Sequence, residues 1–253
     1  MATSSTKGVV DVVFCLDASG SMAPCIDGVR RNLDGFLDAL AGDANRKIDC
    51  RLDFLAHSCG EDGDLVRSVS LRKSGADLIQ ALYGQVPQPA AFFTTDRDAI
   101  RRGLKELTVY GDEAMLVALD MALDFPWRPQ AGCHRVVVVL TDEPLEANAI
   151  WSLQQTKLDA IIDKVQKLGV KLYLVGPNSA GLDTLAEADK CLYQKSAQTY
   201  DGLGSIDFAK VLGQIGKSVS SSLLQARPES AVKRALFGQD EWVASQDSIR
   251  GGR

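Results

Sequence analysis

The chain has 253 residues, of which 45% are hydrophobic and 24% charged, and a formal net charge of −5. A chain of this length can bury a large core, and one α/β domain of about 200–250 residues is ordinary at this size. Mild acidity without any Lys/Arg block argues against a nucleic-acid backbone as partner, and equally against a basic amphipathic anchor on anionic lipid.

Residues 1–8 carry no apolar run, so neither a signal peptide nor a transmembrane span is expected, and a cytoplasmic location follows. Val12, Val13, Phe14, Cys15 and Leu16 then form an unbroken apolar run, as in a strand buried on both faces. It stops at Asp17. Ser19 and Ser21 follow, with Gly20 between them free to bend, so both hydroxyls can converge beside the carboxylate. Oxygen ligands of this kind suit Mg2+ or Mn2+ better than Zn2+. An ordinary strand-to-helix turn, with Asp, Ser and Gly present for capping and bending, is the alternative.

Ile26, Val29, Leu33, Phe36, Leu37 and Leu40 recur at helical spacing up to Gly42, and residues 48–56 alternate as a second strand. Residues 65–71 alternate again after a loop rich in turn formers, which predicts an antiparallel strand at the sheet edge. His57 and Cys59, in that loop, are candidates for a second metal site, although a solvated acidic rim loop is the stronger reading. A short helix over 77–83 is broken by Pro87 and Pro89, and Phe92 and Phe93 return to the core. Thr95 or Asp96 caps a helix whose apolar side is Ile100, Leu104 and Leu107.

A further helix is expected from Asp112, carrying Met115, Leu116, Leu119, Ala122 and Leu123, which puts Asp112 at its N-cap or first turn. Residues 136–140 form the next buried strand and end in Thr141-Asp142-Glu143, with His134 at the opposite end in a structural role. A helix through Leu158, Ile161, Ile162, Val165 and Leu168 stops at Gly169, and residues 170–175 make another strand. A helix near 182–188, a short strand around 191–193 and a helix through Phe208, Val211, Leu212, Ile215 and Val219 complete the pattern. Residues 225–253 lose it: Arg227-Pro228 breaks the last helix, and Trp242 is a large aromatic in a polar tail. The six cysteines contain no C-x-x-C pair and read as reduced, small hydrophobes.

Strand and helix alternate throughout. This predicts a doubly wound α/β fold: a mostly parallel six-stranded sheet with one antiparallel edge strand and helices on both faces. The domain is expected over residues 9–224, between a tail at 1–8 and a partly flexible one at 225–253. In open α/β sheets the ligand crevice lies beyond the carboxyl ends of the strands where strand order reverses, which should bring Asp17 and Asp142 together.

Asp17-Ala-Ser19-Gly-Ser21, with the distant Gly111-Asp112 and Thr141-Asp142-Glu143, resembles the von Willebrand factor type A family over about residues 8–224. That family's metal-ion-dependent adhesion site combines Asp-x-Ser-x-Ser with a distant Thr or Asp and a distant Asp. Asp17, Ser19 and Ser21 match the first element and Asp142 the last. Asp112 takes the place usually held by Thr, in the manner of a Gly-Asp subgroup from whose Gly-Gly-Asp-x-Pro-Glu form Tyr110, Ala114 and Met115 depart. Thr94, Thr95 and Thr108 are rivals for that place.

The resemblance implies that Ser19 and Ser21 bind Mg2+ (or Mn2+) directly, that Asp17 and Asp142 hold metal waters, and that a vacant position takes a Glu or Asp from a protein partner. The expected function is a non-enzymatic, metal-dependent protein-binding module, an assembly or scaffolding subunit inside the cell. The alternative is a metal-assisted phosphoryl or ester hydrolase with Asp17 as nucleophile or base. Against it, neither histidine adjoins a metal element, Asp-x-Asp is missing and no Walker loop follows the first strand.

Overall fold

The fold is described from a computed structural model for residues 8–41, 48–58, 65–86, 88–148, 150–196, 203, 207, 209–216 and 243–244. The central strand β1 (Val9–Asp17) is buried from Val10 onward. It alternates its apolar side chains between two cores. Val10, Val12, Phe14 and Leu16 face one, and Val13 and Cys15 the other. After the serine turn, α1 (Ala23–Ala41) packs Ile26, Val29, Leu33, Phe36 and Leu37 onto the first core. Phe36 meets Phe14 edge-on with ring centroids 5.1 Å apart.

The strand β2 (Asp49–His57) runs parallel to β1 with Asp17 paired to His57. β3 (Val66–Ser68) is antiparallel to β2 at the sheet edge, as the alternation predicts, though it keeps only three residues. α2 (Gly75–Tyr83) starts two residues earlier than the apolar spacing suggests, because Ser74 and Asp77 form a reciprocal capping box. Phe92 and Phe93 are buried and join Phe125 and Trp127 in an aromatic cluster.

Asp96 is the N-cap of α3 (Arg97–Glu106), accepting hydrogen bonds from the amides of Asp98 and Ala99. The other end of α3 is satisfied from α1, where Arg30 donates to the carbonyls of Leu104 at 2.7 Å and Leu107 at 2.9 Å. α4 (Met115–Leu123) is apolar except for Asp120, which pairs with Lys157 and Lys164 of the neighbouring segment, and its Met115, Leu116, Ala118, Leu119, Met121, Ala122 and Leu123 are buried, so it is the inner helix of its layer.

Next come β4 (His134–Leu140), the short α5 (Trp151–Gln154), α6 (Leu158–Leu168), β5 (Lys171–Gly176), α7 (Ala180–Leu185) and β6 (Cys191–Lys195). Gly169 ends α6 in the left-handed region at φ 62, where a side chain would be strained. Residues 209–216 are helical and bury Val211, Leu212 and Ile215 against the first core. A two-residue strand, β7 (Val243–Ala244), adds antiparallel to β6. It lies beyond the six strands the sequence predicts. Gly42, Cys59, Pro87, Phe208, Val219, Arg227, Pro228 and Trp242 lie outside the described residues.

Strand order is β3-β2-β1-β4-β5-β6-β7, parallel from β2 to β6. Helices α1, α3 and 209–216 cover one face, and α2, α4, α6 and α7 the other. The sheet is therefore doubly wound, mostly parallel and α/β, with its order reversing between β1 and β4. Among the described residues no helix is long and apolar enough to cross a membrane. The five described cysteines are free thiols.

Candidate metal centre

At the carboxyl end of β1, Asp17 is fully buried. Its Oδ1 accepts the Ser19 amide at 2.8 Å and its Oδ2 accepts the Thr141 hydroxyl at 3.0 Å. Burial pushes this carboxyl up to about 7; Asp142 adds to the rise, while the Ser19 amide and the two hydroxyls, of Ser19 and Thr141, oppose it. A single 3-10 turn over Gly20–Met22 brings the Ser19 and Ser21 hydroxyl oxygens within 3.2 Å of each other. Ser21 also hydrogen-bonds the Asp142 carboxylate. The Oδ1 of Asp142 is buried with no hydrogen-bond partner among the described residues. The switch point has thus joined the two distant acidic strand ends.

The segment before α4 sets Glu113, rather than Asp112, beside Asp17 and Asp142. Tyr110 ties back to β1 through its amide and the Ala18 carbonyl at 2.8 Å, and Gly111 turns at φ 74, a conformation open to glycine. The chain then points Glu113 inward. One carboxylate oxygen from each of Asp17, Glu113 and Asp142 lies within 4.8 Å of the others, and Asp112, Glu113 and Glu143 make a second such group. Asp112 therefore stands one residue outside the Asp17 cluster. Nor does it cap α4, since the N-cap is Ala114, which has no side chain to offer. Its carboxylate instead accepts the Glu113 amide at 3.1 Å.

His57 explains how this segment is held. It is fully buried, and its Nδ1 accepts the Ala114 amide at 3.4 Å, so the ring carries its proton on Nε2. Burial holds its pKa down at about 3. It positions backbone, and among the described residues it joins no cluster of metal-ligating side chains. Thr94 pairs with Leu52, five residues below His57 or about 16 Å along β2. Thr95 lines a small cavity beside Leu37 and Ile100. The carbonyl of Thr108 accepts the Arg67 guanidinium. The threonine that puts its hydroxyl on Asp17 is Thr141, which is not one of those three.

Residue-level reading of the sequence misses Glu113, Glu143 and Thr141 as members of the site. All three adjoin residues it singles out. Two unit charges 4.8 Å apart repel by about 3 kcal/mol at an effective dielectric of 20, so several ionised carboxylates need a cation or a proton between them. Burial, then sharing with Asp112 and Glu143 and the charge of Asp17, drives the Glu113 carboxyl far above its usual range. Burial likewise raises Asp142. An all-oxygen donor set with an unpartnered buried carboxylate oxygen fits a hard divalent ion.

The sequence matches no family model and no curated protein. Solved structures do resemble the fold. A von Willebrand factor type A protein from Catenulispora acidiphila aligns with a TM-score of 0.55 at 15% identity, over 85% of this chain and 43% of that one. Proximal thread matrix protein 1 of the mussel byssus, solved with a zinc-occupied metal-ion-dependent adhesion motif, aligns at 0.51 and 15% identity over 83% of this chain and 46% of its own. The human COPII-coat protein Sec24c aligns at 0.56 and 12% identity, over 85% and 33%. The chain thus spans less than half the length of each. At these identities the likeness shows the fold, that of a von Willebrand factor type A domain.

Proposed function

From this fold we propose that the chain is a metal-dependent protein-binding module, which takes a Glu or Asp carboxylate of a partner protein at a divalent ion, Mg2+ or Mn2+. The observation that carries the reading is the meeting of Asp17, Glu113 and Asp142 at the strand-order reversal, with the buried Oδ1 of Asp142 left without a donor among the described residues. Ser19 and Ser21 would offer neutral oxygens, and Asp17, Asp142 and Glu113 the charge. Asp112 and Glu143 would stand behind Glu113. When bound, the ion supplies the positive charge that an incoming carboxylate needs.

Thr141 and the Ser19 amide fix both oxygens of Asp17, so the carboxylate meets an ion without rearranging. Three ionised carboxylates around a divalent ion leave a charge near −1. A partner carboxylate would therefore be held more weakly than at a site with a neutral Thr in the third place. The residues favour binding over hydrolysis, because His57 is engaged by backbone and His134 opens β4 at the far end of the sheet. Free thiols support an assembly role inside the cell.

Calorimetric titration of Mg2+ and Mn2+ into wild type and an Asp17→Asn/Ser19→Ala variant tests the site. We expect saturable one-site binding that the variant loses, together with a partner captured in Mg2+ and released by EDTA. Equal metal affinity in the two proteins would refute it.

A further inference from the structure

A cavity of about 360 Å³ opens beside the edge strand β3. Arg67, Arg72 and Lys73 line it against the single carboxylate of Glu106, so it holds two positive charges in excess on a chain of net charge −5. The walls are held in place. Arg67 donates to the Tyr110 hydroxyl at 2.6 Å and the Thr108 carbonyl at 2.7 Å, and its guanidinium lies 4.9 Å over the Tyr110 ring. Arg72 sits in the left-handed region at φ 54, in a turn closed by two backbone hydrogen bonds between Ser68 and Lys73, and it pairs with Glu106. Residues other than Gly, Asn and Asp rarely adopt that region.

A Cβ on Gly103 would stand 2.0 Å from the Val69 carbonyl oxygen, so α3 packs against the turn with no room for a side chain there. The carboxyl end of α3 would repel an anion through its free carbonyls, but Arg30 takes up those of Leu104, Lys105 and Leu107.

Position connects the cavity to the rim. Asp17 and His57 stand in register on β1 and β2, Ser68 faces Leu55 two residues below His57, and Lys73 bridges to the outer side of Ser68, which at about 4.8 Å per strand and about 3.3 Å per residue puts Lys73 about 16 Å from Asp17. Five residues of extended peptide span about that distance.

We propose that this cavity is a second anion site for the partner, taking an acidic or phosphorylated side chain about five residues from the carboxylate that meets the metal. The proposal rests on the capture reading above. Arg67, held against Tyr110, sets the cavity's upper wall two residues from Asp112. Arg72 and Lys73 supply the charge that an incoming anion completes.

The test is calorimetric titration of a hexaglutamate peptide, in Mg2+, into wild type, an Arg72→Gln/Lys73→Gln variant, and an Arg102→Gln control whose side chain pairs with Asp96 at the other end of α3. We expect the double variant to bind at least about fivefold more weakly, with its Mg2+ affinity and the control unchanged. Equal peptide affinity in wild type and the double variant overturns the proposal.

The same peptide carrying one phosphoserine separates the sources. A gain that the double variant erases assigns the cavity to a phosphoryl group, and no gain assigns it to a carboxylate. Should wild type bind neither peptide, the capture reading fails by itself. The cavity is then judged in EDTA by amide chemical shifts on adding inorganic phosphate. Saturable shifts over residues 65–74 that the double variant abolishes sustain the anion site, and their absence overturns it.

Discussion

Asp11 and Asp17 lie on the same strand, and both are fully buried, yet the protein treats them in opposite ways. Asp11 takes four hydrogen bonds from within the chain: Arg51 Nε and Nη2 at 2.9 and 2.6 Å, and the Arg128 amide and Nε at 2.9 and 2.7 Å. Burial alone would raise its pKa, but these donors outweigh it and hold the carboxyl below its ordinary value. Asp17 receives one amide and the hydroxyls of Ser19 and Thr141, all of them neutral, has further carboxylates around it, and is pushed up to about 7. A buried charge that serves the fold is neutralised by the fold. One that the fold sets beside other carboxylates needs a proton or a cation.

The sharpest way to break this contrast is to remove Asp11. Asp11→Ala strands two guanidiniums that are about three-quarters covered, and urea unfolding should show a loss of about 3 kcal/mol or more, the same in Mg2+ and in EDTA. A loss that depended on metal would place Asp11 in the rim system and erase the distinction. The sign with pH follows from the lowered pKa. The stabilisation from Asp11 is complete above the ordinary carboxylate value and disappears as pH falls through the lower folded one.

A smaller effect, of opposite sign, is expected at the rim. Glu113→Gln removes one of the clustered carboxylates, so in EDTA the variant should be more stable than wild type by about 1–2 kcal/mol. In Mg2+ it should bind metal more weakly and the partner carboxylate more tightly. Thermal unfolding with and without Mg2+, with metal and peptide titrations beside it, checks all three. A variant destabilised equally in both conditions would mean that Glu113 is structural.

Asp53 gives the smallest effect and sharpens the comparison with a third outcome. It too is fully buried, but its hydrogen-bond partners are neutral: the hydroxyls of Ser68 and Ser70 and the backbone amides of Phe54 and Phe93. Burial raises it to about 7. A raised carboxyl contributes stability that is complete below its unfolded value and is lost as pH rises toward 7. Asp53→Asn should flatten that part of the stability-pH curve, measured by urea unfolding between about pH 4 and 8. An unchanged slope would show that Asp53 is ionised in the folded chain.

Much of this was legible beforehand, for local reasons. The run from Val12 to Leu16 needs two covered faces, and the helical recurrence from Ile26 to Leu37 needs one, so a layered α/β sheet follows from pattern. Asp17, Ser19 and Ser21 are readable because two-residue spacing and a glycine suffice to converge them. The choice between Asp112 and Glu113 was not readable. Both are acidic and adjacent, and the turn at Gly111 has no period that would tell inward from outward. The pairing of Thr141 with Asp17 spans 124 residues and exists only once β1 and β4 are neighbours.

By itself, then, the sequence determined the long strands and helices, where the order reverses and that carboxylates end two of the strands, but neither β7 nor the short α5, because burial periodicity and turn chemistry act over a few residues and two- to four-residue elements carry no period. Tertiary structure alone decided which acids are quenched by arginine, which keep a proton and which are left facing one another. The free energy of a buried charge is set by what the fold brings within a few ångströms of it, and that neighbourhood is assembled from parts of the chain a hundred residues apart.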